Sequence, residues 1–426
     1  MPLFHHQNVS LGRHGLDRRS FVHAVSAGAL AAGTINFRDV MTLQAEELRK
    51  QDMSMILLFM QGAPSQFETF DPKPGTPNGG PTKAVKTSVP GIEIANGWEQ
   101  TAKLMDDIAV IRSMTNKEGQ HQRAVYQLHT GYIPAGSVKH PSLGSNIAHE
   151  LGDLSAELPS IVSVGRTIGA GFLGVEYEPF VVFNPSLMPQ NSKLTVPEQR
   201  FERRLGVLKD LQQDFAQNGG KELVDSQLKL YDKTSRMILS PKLKAFDISE
   251  EPAAVQERYG KNAFGQGCLL ARRLVEAGVT FVEVVLNGWD THDNCFERVG
   301  TLAAQVDPGM SALISDLKDR GRLDKTLIVW MGEFGRTPRI NPRGGRDHYP
   351  RVFNALMAGG GVKGGRVIGA SSKDGTSVAS DPVTVPDLFC SICQSLKIDP
   401  AKENISPQGR PLKIVDGGKP VEKLFA

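Results

Sequence analysis

The amino-acid sequence predicts an α/β fold, with a mostly parallel central sheet and helices on both faces. Three observations carry that prediction. First, three apolar runs rich in β-formers, Met53–Met60 (MSMILLFM), Val279–Leu286 and Leu327–Met331, read as strands buried on both sides. Second, each run stops at a polar, glycine-containing break: Gln61-Gly62, Asn287-Gly288 and Gly332-Glu333. Ligands of open α/β sheets sit just beyond such strand ends. Third, amphipathic stretches over Asn262–Ala277 and Val306–Arg320 precede the second and third runs, which is the alternation a parallel sheet requires.

In chain order, residues 1–45 are expected to lie outside the fold. Arg18-Arg19 precedes a mildly apolar, small-residue run through Ile35, the layout of a twin-arginine signal. That run is too short and too rich in Gly and Ala to span a membrane. With cleavage placed after Ala45, the mature chain carries no integral span and is expected to be periplasmic or extracellular. Residues 46–426 then form a single α/β domain with a helical insertion around 197–245. Within it, Ile108–Ser113, Pro159–Val164, Pro179–Phe183 and Val352–Met357 are further strand candidates. A helix is expected from His121 to about Gly131. Phe201, Leu205, Leu208, Leu211 and Phe215 recur at helical spacing between Val196 and Gly219.

Composition excludes several classes. Forty-nine basic against forty-six acidic residues give no electrostatic case for nucleic acid or an anionic membrane surface. The four cysteines, Cys268, Cys295, Cys390 and Cys393, are too few for a disulfide framework. Cys390 and Cys393 fall on the apolar face of a helix expected over Pro386–Leu396 and read as core rather than as a redox pair. Ser65 follows the first strand, but no G-x-S-x-G elbow surrounds it. The GGGVKGGRVIG run matches neither a P-loop nor a dinucleotide fingerprint.

The candidate chemistry lies beyond the second and third apolar runs. Thr326–Pro350 places Glu333 at a strand end and Asp347-His348 in the following loop, with Arg336, Arg339, Arg343 and Arg346 between them. Asn287–Asn294 (NGWDTHDN) adds Asp290 and His292, which project to one side if the segment is extended. Asp, Glu and His are the donors that a divalent cation needs, and arginines suit a phosphate or sulfate group. Pairing of these carboxylates with the arginines is the competing arrangement.

The strings GAPSQFETFDPKP, HQRAVYQLHTG, NGWDTHDN, GEFGRTPRIN, GRDHYP and VTVPDLF together resemble an exported bacterial family, the domain of unknown function 1501. That family is grouped with alkaline phosphatases and sulfatases. The resemblance covers nearly the whole chain after the signal and implies an alkaline phosphatase/sulfatase-like fold. It also shows departures. Counting back from Thr130-Gly131, His121 takes the sulfatase nucleophile slot and Val125 the slot of its arginine. Gln61-Gly62 replaces the paired aspartates, Glu333-Phe334 replaces a late Asp with Asn or His, and His292 matches a sulfatase histidine. These departures argue against a formylglycine sulfatase.

Two functions follow from the resemblance. In the first, Asp290, His292, Glu333, Asp347 and His348 hold one or two divalent metal ions (Zn, Ca, Mg or Mn) that activate water for hydrolysis of a phosphate or sulfate ester. Arg336, Arg339 or Arg346 neutralises the substrate oxyanion, and His121 acts as general acid or nucleophile. In the second, an inactive sulfatase-like module binds an anionic, sulfated or phosphorylated glycan or a partner protein.

Overall fold

Strand β1 (Ser54–Gln61) lies inside the main sheet, and its alternate residues feed two separate cores. Ile56, Leu58 and Met60 point into one core, and Met55, Leu57 and Phe59 into the other. An apolar run with no polar side can be buried only this way, between two helical layers. The computed structural model describes residues 53–426 apart from position 137. The twin-arginine segment expected over residues 1–45 lies outside the described residues.

Among the described residues, the main sheet contains nine strands. After β1 come β2 (Ile108–Thr115), β3 (Ile161–Val164), β4 (Phe180–Val182), β5 (Phe281–Asn287), β6 (Thr326–Met331), β7 (Phe353–Ala358), β8 (Arg366–Ile368) and β9 (Val383–Thr384). Their order is β8-β2-β7-β6-β1-β5-β3-β4, with β9 beside β2. Only β7 runs antiparallel to its neighbours, β2 and β6. The register pairs Gln61 with Asn287 and Phe59 with Met331, so β1, β5 and β6 end on one edge of the sheet.

Helices α1 (His121–Thr130), α2 (Leu143–Leu151) and, near the C-terminus, α7 (Val385–Ser395) cover one face through Leu128, Ile147 and Phe389. Helices α5 (Ala263–Glu276) and α6 (Cys295–Asp319) cover the other through Leu269, Leu274, Val306 and Leu313. The hairpin of α3 (Glu198–Phe215) and α4 (Lys221–Leu239) stands between β4 and α5 in the chain. Cys390 and Cys393 are buried in α7, and burial pushes the Cys393 thiol up to about 12.

Helix α6 departs from the sequence reading. It begins at Cys295, well before Val306, and carries Pro308 inside it. The helical spacing of the buried Val299, Leu302 and Val306 was present in the sequence ahead of the expected start. The early start matters because α6 anchors the loop that carries Asp290 and His292. The amide of Cys295 donates to the Gly344 carbonyl at 2.9 Å, tying that loop to the one after β6. Among the described residues, no helix is long and apolar enough to cross a membrane.

One buried pair links the two layers to pH. In the last turn of α1, His129 Nδ1 donates to the Val125 carbonyl and its Nε2 meets Glu283 Oε1, on β5, at 2.9 Å. Burial lowers the imidazole pKa, but the charge and hydrogen bond of Glu283 outweigh it, and the net shift is upward. A raised folded-state value contributes stability that is complete below the unfolded pKa of about 6.5 and lost as pH climbs through the folded one. Denaturant melts are therefore expected to show stability falling above pH 6.5, by at most about 1.4 kcal/mol per pH unit. The double variant H129L/E283L removes both charges and should flatten that slope. An unchanged slope in the double variant would assign the effect to other groups.

Candidate metal centre

Four loops meet at the edge where β1, β5 and β6 end. The first, after β1, turns through Gly62 (φ +113°) and Ala63 (φ +63°), a left-handed value that costs a non-glycine residue strain. A Cβ at Gly62 would stand 2.5 Å from the Asp290 amide nitrogen, so glycine there lets the first loop touch the second. The Gly62 amide donates to both Glu333 oxygens, at 2.9 and 3.2 Å, which secures the third loop, after β6. The same device recurs at Gly345, where a Cβ would meet the His292 carbonyl at 2.1 Å. The fourth loop leads from β2 into α1, whose first residue is His121.

Three imidazoles face one another across this junction, and each is pinned through Nδ1. His121 Nδ1 donates to Glu333 Oε1 at 2.6 Å. His292 Nδ1 donates to Asp347 Oδ1 at 2.9 Å, and His348 Nδ1 to the Gly119 carbonyl at 2.7 Å. A carbonyl can only accept, so the His348 proton is on Nδ1 and its Nε2 carries a lone pair. The carboxylates impose the same tautomer on the other two rings.

All three Nε2 atoms then converge on Asp290 Oδ1, at 3.0 Å from His292, 3.2 Å from His121 and 3.4 Å from His348. His292 Nε2 lies 3.0 Å from His348 Nε2. His121 Nε2 is buried with no hydrogen-bond partner.

Facing lone pairs repel unless a cation or a proton lies between them. Oxygen and nitrogen ligands at about 2.0–2.1 Å around a tetrahedral ion stand roughly 3.3 Å apart, close to the 3.0–3.4 Å from Asp290 Oδ1 to each Nε2. His121, Asp290 and His348 each offer a donor atom within 4.8 Å of the others. Imidazoles held by a carboxylate or carbonyl at the opposite nitrogen are the usual supporting arrangement of metal-binding histidines. The residues fit a divalent metal ion.

Residues 52–425 match the family described as "Protein of unknown function (DUF1501)". The chain belongs to that family. No curated protein matches the chain at a significant level. Among solved structures, it is similar to the PsFucS1 sulfatase from Pseudoalteromonas sp. The TM-score is 0.38 at 14% identity, over 84% of this chain and 70% of that one. It is similar also to the lipoteichoic acid synthase LtaP from Listeria monocytogenes, with TM-score 0.38 at 10% identity over 87% and 76% of the two chains. A third is the phosphonate monoester hydrolase of Agrobacterium radiobacter, with TM-score 0.36 at 14% identity over 87% and 77%. Likeness at these TM-scores decides nothing about the site, whose chemistry is read from the side chains.

In this DUF1501 chain, electrostatics favours the metal-competent forms of Asp290 and His348 and pulls His121 the other way. Burial would raise the Asp290 carboxyl, but the hydrogen bond and charge of Arg336, joined by His121 and His292, hold it down at about 2. Burial lowers His348, with Arg336 and His121 adding to the effect. For His121 burial also works downward, yet Glu333 and Asp290 outweigh it and the value rises. Asp347 is lowered, chiefly by its hydrogen bond from His292.

The structure brings Asp290, His292 and His348 together, and His121 faces the same junction. Glu333 and Asp347, expected as ligands, instead orient imidazoles from behind. The arginines also differ from expectation. Arg336 is fully buried and donates to Gly62 O, Ala63 O, Arg346 O and Asp290, so it braces the site from inside. Arg346 is fully buried too, paired with both oxygens of Glu68 and lying over Phe67. Neither guanidinium faces solvent to meet a substrate oxyanion. Arg339 and Arg343 are exposed on the loop beside Asp347. Sequence reasoning missed Gly62, Gly345 and the Gly119 carbonyl, because backbone approach leaves no mark in residue spacing.

Proposed function

We propose that this chain is a metal-dependent hydrolase of phosphate or sulfate esters. The observation supporting it is the three imidazoles, each held at Nδ1, that turn Nε2 toward one ionised carboxylate at the ligand edge of the sheet. Imidazole nitrogens of His121 and His348 with the Asp290 oxygen, and His292 alongside, suit zinc or a similar transition ion. Calcium and magnesium prefer all-oxygen sites. When bound, such an ion supplies Lewis-acid polarisation of the ester and acidification of water.

The chain's own residues do the rest. Glu333, Asp347 and the Gly119 carbonyl hold the ring tautomers, and Arg336 holds Asp290 ionised and in place. The cluster is open on the side of Asp347, which is 56% exposed in its side chain, so an ester approaches from there. Arg339 and Arg343 are the exposed cations carried by that side.

The second reading, an inactive module that binds an anionic glycan or partner, is favoured by the burial of Arg336 and Arg346, which removes two cations from the substrate face. Elemental analysis of the purified chain, followed by aryl phosphate and aryl sulfate assays on the reconstituted protein, separates the two. About one tightly held ion per chain with turnover of either ester supports the hydrolase. A metal-free chain that binds sulfated glycan without turnover overturns it.

A further inference from the structure

Helix α6 holds two glycines, Gly300 and Gly309, and packing explains only the second. A Cβ at Gly309 would stand 2.9 Å from the Gly265 backbone, so α5 and α6 approach closely there. At Gly300 a Cβ would meet no atom within 4 Å. Glycine weakens a helix interior, and here neither a close contact nor a positive φ calls for it. What it leaves is space. Gly300 lines a cleft of about 230 Å³ against the first turns of α6. That end of the helix follows the loop after β5, so the cleft lies beside the ligand edge of the sheet.

The cleft is lined on one side by apolar Phe296, Val299 and Ala303 and on the other by polar Glu68, Thr82 and Asn96. Glu68 and Thr82 are buried, whereas Asn96 and Gly300 are exposed at the mouth. Glu68 Oε1 accepts from Arg346 Nη2 at 2.7 Å and from Thr82 Oγ1 at 3.2 Å. Its Oε2 accepts from Arg346 Nε at 3.1 Å. A carboxylate has about four acceptor sites, so among the described residues Oε2 keeps one to spare. Asn96 Oδ1 accepts from the Lys83 amide at 2.8 Å, which fixes the side-chain amide and leaves Nδ2 to donate.

These groups select an occupant by charge. Arg346 neutralises Glu68, so the cleft offers an acceptor without a net charge to hold a cation. The five N–H donors of Arg346 are spent, on Glu68 twice and on the carbonyls of Asn78, Thr337 and Pro338, so an anion gains nothing from it. What fits is a neutral molecule with hydroxyls for Glu68 and Asn96 and an apolar face for Phe296 and Val299. The volume lies below the roughly 300–1,000 Å³ of sites for drug-sized ligands, which limits the occupant to about one ring. We propose that this cleft is a binding site for a neutral, hydroxyl-rich ring of the pyranose kind. It meets the metal centre through the Arg346 carbonyl, which accepts from Arg336 Nη1 at 3.2 Å, and needs no bound ion. The proposal therefore stands apart from the reading of the metal centre.

Saturation-transfer NMR of the full chain with the methyl pyranosides of glucose, galactose and mannose is expected to show binding of at least one, with Kd on the order of 1 mM for a ligand this small. Gly300→Trp grows a side chain from the wall of the cleft and should weaken that binding by about tenfold or more. Gly300→Ala, which adds one methyl in open space, should keep it. Metal content and far-UV circular dichroism should match the parent in both. If the tryptophan variant fails to fold, Asn96→Asp keeps the test open. It preserves the acceptor for the Lys83 amide, replaces the free donor and should weaken binding about fivefold. A parent that binds none of the three pyranosides, or binding indifferent to both Gly300→Trp and Asn96→Asp, overturns the proposal. So does competition in which methylammonium displaces the pyranoside, which would assign Glu68 to a cation.

Discussion

Replacing His348 by alanine is expected to take bound metal from about one ion per chain to near none, and ester turnover with it. His348 is the ring whose tautomer is beyond dispute, since its Nδ1 can only donate to the Gly119 carbonyl. Its Nε2 lies within 3.4 Å of Asp290 Oδ1 and 3.0 Å of His292 Nε2, so removal takes a donor from the middle of the cluster. The ring is partly exposed and packs against Phe334, His121 and His292, so the fold should survive its truncation. Asp347→Ala is the informative contrast. Asp347 touches the cluster only through His292 Nδ1 among its imidazoles, so its loss should leave metal bound but about 10–100-fold more weakly. Titration with a competing chelator, read by elemental analysis, separates the two. Equal loss of metal in both variants would place Asp347 among the ligands.

Arg336→Met should lower the unfolding free energy by about 3–5 kcal/mol, the usual cost of removing one partner from a buried charge network. The guanidinium is inaccessible to solvent. It donates from Nε to Ala63 O at 2.9 Å, from Nη2 to Gly62 O and Asp290 Oδ1 at 2.5 Å each, and from Nη1 to Arg346 O at 3.2 Å. Methionine fills similar space but leaves three carbonyls without that donor and removes the charge that holds Asp290 ionised. Arg336→Lys should rescue little, because an ammonium cannot reach three loops with the geometry of a planar fork. Chemical denaturation gives the stability change, and chelator titration of the surviving folded protein should show weakened metal binding. A loss under about 1 kcal/mol would make the contact a surface-like ion pair and refute the bracing role.

The residue pattern carried far in the sheet because a strand buried on both faces has no polar alternation. Met53–Met60, Val279–Leu286 and Leu327–Met331 each say so directly, and the register places their ends together. Helix α6 was half legible: the stretch from Val306 reads as helix despite Pro308, whereas the first turns from Cys295, with Val299 and Leu302 already at helical spacing, were not read.

Residue type alone determined which side chains could gather at the sheet edge, since Asp290, His292, Glu333, Asp347 and His348 are donors wherever they sit. It could not say which of them face one point and which hold an imidazole from behind. That division depends on which oxygen reaches an imidazole Nδ1, and so on contacts between segments more than two hundred residues apart in the case of His121 with Glu333 and His348 with Gly119. The arginines show the same limit. Arg336 and Arg346 look like anion binders in the chain, but the tertiary structure buries both. A buried guanidinium must find acceptors for its donors, and those on Gly62, Ala63 and Glu68 come within reach only when the loops close.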